Sequence, residues 1–276
     1  MRLSIAAIFL GLTMAGSTAL AAGKFTNLDG NPNLRSASVI VLDSDGDVIY
    51  GKDADTVWPI ASITKLMTAM VILDSGLSLE EMITITKDDR DLIRLTGSRL
   101  EYGATLSRND LLMLAVMSSE NRAAAALGRT YPGGSEAFVD AMNKKARGLG
   151  MQDSHFADPA GLKAENVATA SDLAKLVEAA DNYALIHLAS TTTRKEVRPY
   201  KGRGPLVYGN TNRLLKNESW DIELSKTGYI NEAGRCLVMQ ANIEGEEVSI
   251  ILLNSFGKLT PFGDSNRLRQ WMLANS

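Results

Sequence analysis

The chain has 276 residues, of which 45% are hydrophobic and 22% are charged, a composition that is typical of a globular protein. Its formal net charge of −3 argues against a nucleic-acid-binding protein, because such proteins are usually basic. The single cysteine, Cys236, excludes an internal disulfide, so we expect the hydrophobic core alone to stabilise the fold.

Residues 1–21 are predicted to be a secretory signal peptide. A positively charged start is followed by an apolar stretch, and Ala19-Leu20-Ala21 fits a small-x-small cleavage site. The alternative, a membrane anchor, is less favoured because the apolar stretch is shorter than the roughly 20 residues that a spanning helix needs. We therefore expect an exported protein whose mature chain, residues 22–276, forms one domain without a stable membrane anchor.

Residues 36–51, SASVIVLDSDGDVIYG, are predicted to form a β-hairpin, because two β-branched segments flank the turn sequence Asp-Ser-Asp-Gly. The alternating Asp43, Asp45 and Asp47 also resemble part of a calcium loop. An EF-hand, however, would need a glycine where Val48 stands and a glutamate further on. The turn interpretation is therefore favoured.

Helical patterns fill most of residues 62–190, and three of these helices are predicted to be capped by Ser107, Ser135 and Ser171. The segment between Arg194 and Lys216 is polar, with seven Lys or Arg residues and one acid. We expect a solvated basic face there, and contact with carboxylates of a peptide ligand is the alternative.

The last part of the chain is predicted to contain three strands and a closing helix. The strands lie in ELSKTGYI, RCLVMQANI and EVSIILLNS, and the helix covers residues 265–273. Strands from both ends of the chain must share one sheet, because two strands alone would be only marginally stable. We therefore predict an α+β fold, with an antiparallel five-stranded sheet flanked by helices and an inserted all-helical subdomain.

The apolar segment 58–73, WPIASITKLMTAMVIL, opens with Trp-Pro and then contains a serine and a lysine three residues apart. On a helix, Ser62 and Lys65 would lie on one face with Cβ atoms about 5–6 Å apart, so the amine could reach the hydroxyl. Burial disfavours the ammonium form, so Lys65 could be the base that activates a serine nucleophile. A helix-capping serine beside a lysine that extends to solvent remains the alternative.

Two further segments suit the same chemistry: Ser119-Glu120-Asn121, between two helical patterns, and Lys226-Thr227-Gly228, in a predicted strand. In this order, Ser-x-x-Lys, Ser-x-Asn and Lys-Thr-Gly resemble the penicillin-binding protein and serine β-lactamase superfamily. A second Ser-x-x-Lys, at 255–258, falls in a turn and is interpreted as coincidental. The segments IASITKLMTAMV, SSENRAAAAL, DSHFADPAGL and NTNRLL followed by KTGY are most similar to the small D-alanyl-D-alanine endopeptidases of the Gram-negative periplasm, within the low-molecular-mass D-alanyl-D-alanine peptidases.

This resemblance, which covers about residues 36–275, implies a periplasmic serine D,D-peptidase. Its substrate would be the peptide cross-links of peptidoglycan, it would be acylated by β-lactams, and it would use no cofactor and no metal. The resemblance also implies that Ser62 is the acylated nucleophile, that Lys65 is its base, and that Ser119 relays a proton to the leaving amine.

The same resemblance implies five substrate-binding residues. Asn121 would hold the base and the substrate amide, and Lys226 would orient the second serine electrostatically. Thr227 would bond to substrate, and Gly228 would let the strand approach the ligand closely. The backbone N–H of Tyr229 and that of the nucleophile would form the oxyanion hole.

Three other functions stay open. A D-alanyl-D-alanine carboxypeptidase would share the site, although the chain ends about 50 residues after the Lys-Thr-Gly strand, which favours an endopeptidase without a further C-terminal domain. A class A β-lactamase would need a deacylating glutamate, and Glu165 lacks the Glu-x-x-Leu-Asn context. A wall-binding protein without turnover is the non-enzymatic alternative.

The two histidines, His155 and His187, lack the spacing of a metal site.

Overall fold

A computed structural model of the chain describes residues 24–276, and the predicted signal peptide, residues 1–21, lies outside the described residues. A five-stranded antiparallel sheet stands at the centre of the described part, and three two-stranded sheets surround it. The strands are, in chain order, β1 (Ser36–Leu42), β2 (Val48–Lys52), β3 (Trp58–Pro59), β4 (Met82–Thr84), β5 (Thr105–Ser107), β6 (Val167–Ala168), β7 (Arg194–Val197), β8 (Leu206–Gly209), β9 (Asp221–Ile230), β10 (Gly234–Ile243) and β11 (Glu246–Ser255).

The central sheet has the order β2-β1-β11-β10-β9, so the N-terminal hairpin pairs with the last strand of the chain, as predicted. The helices that cover it are α1 (Thr64–Asp74), α2 (Arg108–Met117), α3 (Asn121–Arg129), α4 (Gly134–Gly148), α5 (Ala170–Asp181), α6 (Ala184–Thr191) and α7 (Thr260–Asn275).

Helices pack on both faces of the sheet, and the period-2 alternation of its strands supplies both faces. On β1, Val39 and Val41 belong to the apolar cluster that contains Leu268 and Met272 of α7. Ile40, which points the other way, belongs to the larger cluster that contains α1 and the rest of the helical insertion. The predicted α+β fold with an inserted helical subdomain is therefore confirmed.

Helix α1 is the centre of the helical layer. All its residues from Thr64 to Ile72 are buried, and a helix that is apolar on all sides must lie inside the protein. The 3₁₀ turn Ala61–Ile63 precedes it and packs against β9, the strand at the edge of the sheet. The start of α1 therefore faces an unpaired strand edge.

Two of the three predicted helix caps are wrong. Ser107 does cap α2, since its hydroxyl accepts the N–H of Asp110 at 3.1 Å. Helix α4, however, begins after Gly133, and α5 is capped by Thr169, so Ser135 and Ser171 lie inside their helices. Each of these serines is the second residue of its helix, because α4 begins at Gly134 and α5 begins at Ala170.

The basic segment forms a hairpin, β7 and β8, that the sequence did not predict, because charged residues interrupt the apolar alternation of β7. Three of its cations pair with acids: Lys195 with Asp110, Arg198 with Glu196, and Arg203 with Glu101.

Within residues 24–276, no helix has both the length and the apolar character needed to cross a bilayer.

Candidate active site

Lys65 lies fully buried at the start of α1, one helical turn after Ser62. Its ammonium Nζ donates to Ser62 Oγ at 2.8 Å, to Asn121 Oδ1 at 2.8 Å and to the carbonyl of Ala160 at 2.6 Å. The predicted contact between serine and lysine is therefore present. The alternative in which Lys65 extends to solvent is wrong.

The environment of Lys65 shifts its protonation equilibrium. Burial lowers its pKa from the ordinary value of 10.5 to about 8, and the negative charges of Asp158, Glu120 and Asp91 limit this decrease. Near neutral pH a fraction of the molecules, far larger than at the ordinary pKa, therefore holds an unprotonated amine 2.8 Å from a serine hydroxyl. That is the arrangement that general-base activation of a nucleophile requires.

Ser119 lies in the short connection between α2 and α3, opposite the first serine. Its φ is +59°, in the left-handed region that is unfavourable for a residue with a Cβ atom. Ala61, just before Ser62, has the same kind of backbone with φ +48°. Strained residues of this kind persist where surrounding contacts hold them, and they cluster at functional sites.

Lys226 reaches Ser119 from strand β9. It is 1% exposed, and its Nζ donates to Ser119 Oγ at 3.0 Å and to the Thr227 carbonyl at 2.8 Å. Burial, together with the charge of Lys65, holds the Lys226 pKa well below its ordinary value. Two positive charges repel each other, so the state in which both lysines are protonated is disfavoured.

Gly228 is placed where only glycine fits. A Cβ atom there would lie 2.8 Å from the Ile60 carbonyl oxygen and 3.2 Å from the backbone nitrogen of Ser62. The absence of a side chain lets β9 lie directly against the turn that carries the serine. On either side, Thr227 Oγ1 bonds to Thr211 Oγ1 at 2.6 Å, and the exposed Tyr229 ring lies under the Arg235 guanidinium at 3.6 Å.

These groups surround one open cleft of about 290 Å³, and two of the eight predicted residues, Lys65 and Lys226, lie buried beneath it. Glu165, the residue considered for a deacylating role, is exposed and does not line it. The other six predicted residues all line the cleft: Ser62, Ser119, Asn121, Thr227, Gly228 and Tyr229.

Sequence reasoning missed several residues of the cleft. Arg213, Arg235 and Lys258 line it, and no acidic residue of the described part of the chain does. The chemistry of Arg213 was considered only as part of the basic segment. Lys258 belongs to the second Ser-x-x-Lys match, residues 255–258, and it reaches the cleft from the loop before α7. Arg235 follows the β9–β10 turn, and nothing in the local pattern indicated that it would face Tyr229.

A loop around Asp158 supplies the carbonyl that holds Lys65. The Asp158 carboxylate accepts backbone N–H groups of Ala160, Gly161 and Lys163 at 2.7–2.8 Å. Gly161 has φ +74°, and a Cβ atom there would lie 2.0 Å from the Ala61 carbonyl oxygen. The Asp-Pro-Ala-Gly sequence was a recognisable turn signal for this loop, but its contact with the lysine was not predictable from spacing.

Comparison of the sequence with known protein families gives a result that agrees with the geometry of this site. A family model described as Peptidase S11, D-alanyl-D-alanine carboxypeptidase, matches residues 26–257. The chain belongs to this family. The predicted relationship to the low-molecular-mass penicillin-binding proteins is thereby confirmed, and the chain is a serine peptidase of the S11 type.

Individual relatives narrow the position within the S11 family. The chain is 45% identical to a D-alanyl-D-alanine endopeptidase of Pseudomonas aeruginosa, over 98% of this chain and 87% of the relative. It is 44% identical to a D-alanyl-D-alanine endopeptidase of Escherichia coli, over 87% of this chain and 78% of the relative. The crystal structure of a Streptomyces DD-transpeptidase superposes with a TM-score of 0.82 at 27% identity, covering 89% of this chain and 100% of that one.

Proposed function

We propose that this S11 peptidase is a D-alanyl-D-alanine endopeptidase that hydrolyses D-alanyl bonds within the peptide cross-links of peptidoglycan. Two relatives at 45% and 44% identity carry the name D-alanyl-D-alanine endopeptidase. The observation that carries the mechanism is the contact of the buried Lys65 amine with Ser62 Oγ at 2.8 Å, on the floor of an open cleft.

In the first step, the unprotonated Lys65 amine takes the proton of the Ser62 hydroxyl while Oγ bonds to the D-alanyl carbonyl carbon. The electron pair of the carbonyl bond moves to the oxygen, and the backbone N–H groups of Ser62 and Tyr229 stabilise that oxyanion. The carbonyl bond then re-forms as the C–N bond breaks, which leaves an ester on Ser62.

Ser119 is positioned to complete this step. Its hydroxyl gives a proton to the departing amine nitrogen, and it regains one from the lysines that lie beneath it. Lys226 Nζ is 3.0 Å from Ser119 Oγ, and Asn121 links the base to the same side of the cleft. Water then attacks the ester carbon while the same groups take its proton. The bond from that carbon to Ser62 Oγ breaks, Oγ receives the proton, and the peptide leaves as a carboxylic acid, which restores Ser62.

Strand β9 provides the binding edge for the substrate chain. It is the last strand of the sheet, so one row of its N–H and C=O groups faces the cleft rather than another strand. An extended peptide can add to such an edge through main-chain hydrogen bonds. Thr227 and Tyr229 would contact the peptide there, and Gly228 keeps the edge close to the nucleophile.

The charges of the cleft favour an anionic substrate. Arg213, Arg235 and Lys258 line it, and among residues 24–276 no acidic residue does, so carboxylates of a wall peptide would be attracted. The same cations support a second candidate, removal of a C-terminal D-alanine, since a guanidinium binds a terminal carboxylate in a bidentate manner. The description of the matching family as carboxypeptidase favours that candidate too.

Export is the second part of the proposal. The pattern of residues 1–21 indicates a signal peptide that would be removed in the periplasm, so residues 22–276 would be the mature enzyme. The substrate would be met there, because cross-linked peptidoglycan lies outside the cytoplasmic membrane.

Purified protein and its Ser62→Ala variant should be incubated with cross-linked muropeptide dimers and, separately, with uncross-linked pentapeptides. We expect conversion of dimers to monomers by the wild type and no conversion by Ser62→Ala. Release of free D-alanine from pentapeptides, with dimers left intact, would establish the carboxypeptidase candidate and overturn the endopeptidase proposal.

A further inference from the structure

The loop of residues 91–96 lies beside the cleft and contacts Asn121. Thr96 Oγ1 accepts a hydrogen bond from Asn121 Nδ2 at 2.9 Å, and the Thr96 hydroxyl donates to Asp91 Oδ2 at 2.7 Å. Asn121 Oδ1 in turn accepts from Lys65 Nζ at 2.8 Å. These contacts form one continuous chain from a carboxylate to the buried lysine.

The direction of every bond in this chain is determined by its two ends. A protonated lysine has only donors, so Asn121 must present its oxygen to Lys65. An ionised carboxylate has only acceptors, so Thr96 must give its hydroxyl hydrogen to Asp91. The Thr96 oxygen is then free to accept, and the Asn121 amide nitrogen is the donor that meets it.

Asp91 is suited to hold this end of the chain. It is 6% exposed, and burial would raise its pKa, but hydrogen bonds from Arg94, Thr96 and Ile93 hold the pKa below its ordinary value. The carboxylate is therefore ionised at neutral pH, and the same bonds fold the loop around it.

Arg94 fixes the loop to the walls of the cleft. Its Nε donates to the Leu162 carbonyl at 2.6 Å, and its guanidinium pairs with Glu232 in the β9–β10 turn at 2.8 Å. The loop is thus tied to two other segments of the site although Leu92, Ile93 and Leu95 on it are exposed. Its position relative to Asn121 is set by polar contacts rather than by apolar packing.

We infer that Thr96, held by Asp91, is a positioning residue that fixes the orientation of the Asn121 amide so that its oxygen faces Lys65. Without the Thr96 hydroxyl, the Asn121 nitrogen loses its acceptor, and the amide can turn. The Lys65 amine would then lose a partner and would be less well aligned with Ser62. This inference rests on the proposed role of Lys65 as the base.

The test is the rate of acylation by benzylpenicillin as a function of pH for wild type, Thr96→Val, Thr96→Ala and Thr96→Ser. Thr96 is exposed, so these variants should fold. Thr84→Val is the control, because it removes the hydroxyl of another exposed threonine, one that bonds to Thr105 Oγ1 at 2.9 Å away from the cleft.

We expect Thr96→Val and Thr96→Ala to lower the maximal acylation rate about three- to tenfold, the effect of one hydrogen bond. Their pH midpoint should move to lower pH, because an ammonium that loses an acceptor is less favoured. The other charged groups that face Lys65, namely Asp158, Glu120, Asp91 and Lys226, are all retained in these variants. Asp91 loses the Thr96 hydroxyl as a donor but keeps its three backbone N–H donors.

Thr96→Ser and Thr84→Val should keep both the wild-type rate and the wild-type midpoint. A Thr96→Val enzyme with wild-type rate and midpoint, or a Thr96→Ser enzyme as impaired as Thr96→Val, would overturn the positioning role alone. Failure of wild type and Thr84→Val to be acylated on Ser62 would instead overturn the proposed function.

Discussion

At the residue scale, the site combines two buried lysines with two serines, and each lysine contacts one serine. Lys65 bonds to Ser62 and Lys226 bonds to Ser119. Burial of an unpaired ammonium is unfavourable, and neither lysine has a carboxylate partner within hydrogen-bond distance in the described part of the chain. The cost of burying them is consistent with a role in proton transfer.

Replacement of Lys65 by arginine should slow acylation strongly. Arginine keeps the positive charge but does not deprotonate in a protein, so it cannot serve as a base. General-base catalysis typically contributes about 10²- to 10⁴-fold, and we expect a loss of that order in the rate of benzylpenicillin acylation. Lys145→Arg, at the ion pair with Asp74, is the control and should acylate normally. Near-normal acylation of a folded Lys65→Arg variant would place the base elsewhere.

The acylation rate should rise with pH and reach half of its plateau near the Lys65 pKa of about 8. The unprotonated amine is the active form, and a pKa lowered by burial means that this form appears well below the ordinary pKa of 10.5. Stopped-flow measurement with a chromogenic β-lactam over about pH 6 to 9 tests this. A profile that is flat or falls over this interval would contradict the assignment.

The sequence predicted the contact between Ser62 and Lys65 because both residues lie within one helical turn, where spacing determines proximity. It did not predict the bond between Thr96 and Asn121, which are 25 residues apart, because the loop that carries Thr96 has no periodic pattern. Roles that depended on the family resemblance, such as those of Ser119 and Tyr229, needed that resemblance because no local rule places them at the cleft.

At the element scale, the position of β9 against the turn before α1 determines the shape of the cleft. This contact depends on Gly228, whose missing side chain leaves room for the Ile60 carbonyl and the Ser62 backbone nitrogen. Both neighbours are backbone atoms, so they cannot move aside as a flexible side chain would.

Gly228→Ala should therefore separate β9 from the serine turn and lower the acylation rate by at least about tenfold, because a 1 Å displacement of catalytic groups can cost 10²-fold. Gly209→Ala on β8 is the matched control, since a Cβ atom there would meet its nearest neighbour, the Thr193 carbonyl oxygen, at 3.9 Å. The measurement is penicillin acylation of both variants, with circular dichroism to confirm folding. Equal rates for Gly228→Ala and wild type would show that the close approach is not needed.

Secondary structure was predictable where an apolar pattern repeats. The strands around Cys236 and Ile250 are buried on both faces over most of their length, and the strand around Lys226 is buried on one face, so each contains a recognisable apolar segment. The hairpin of β7 and β8 was missed because main-chain bonds pair the two strands, and the charged residues of β7 interrupt the hydrophobic alternation that would have indicated a strand.

At the scale of the whole molecule, a buried carboxylate joins the two ends of the described chain. Asp264 on α7 accepts the backbone N–H of Arg35 at 3.1 Å and that of Ser36 at 2.7 Å, and it also pairs with Arg267. This contact holds α7 against β1, the strand that the N-terminal hairpin adds to the sheet.

Asp264→Ala should lower stability without changing the site. Each buried donor left without a partner costs about 1–3 kcal/mol, so we expect a loss of at least about 2 kcal/mol. In a domain of this size that corresponds to a decrease in Tm of about 4–8 °C. Calorimetry measures it, with the exposed Asp140→Ala as the control. An unchanged Tm would show that α7 is held by apolar packing alone.

The five-stranded sheet was predictable as a whole because two N-terminal strands are too few to be stable alone and need the C-terminal strands as partners. The position of the basic residues at the cleft was not predictable from the sequence. Arg213 and Arg235 meet at the cleft only because the chain crosses from the basic hairpin to β9 and turns into β10. That convergence is a property of the topology, and no short segment encodes it.

The most direct test of the mechanism is the mass of the intact protein after incubation with benzylpenicillin, for wild type and Ser62→Ala. We expect one slowly hydrolysed adduct on the wild type, located at Ser62 by peptide mapping, and no adduct on Ser62→Ala. An adduct that persists on Ser62→Ala, or turnover of benzylpenicillin by the wild type at β-lactamase rates, would contradict it.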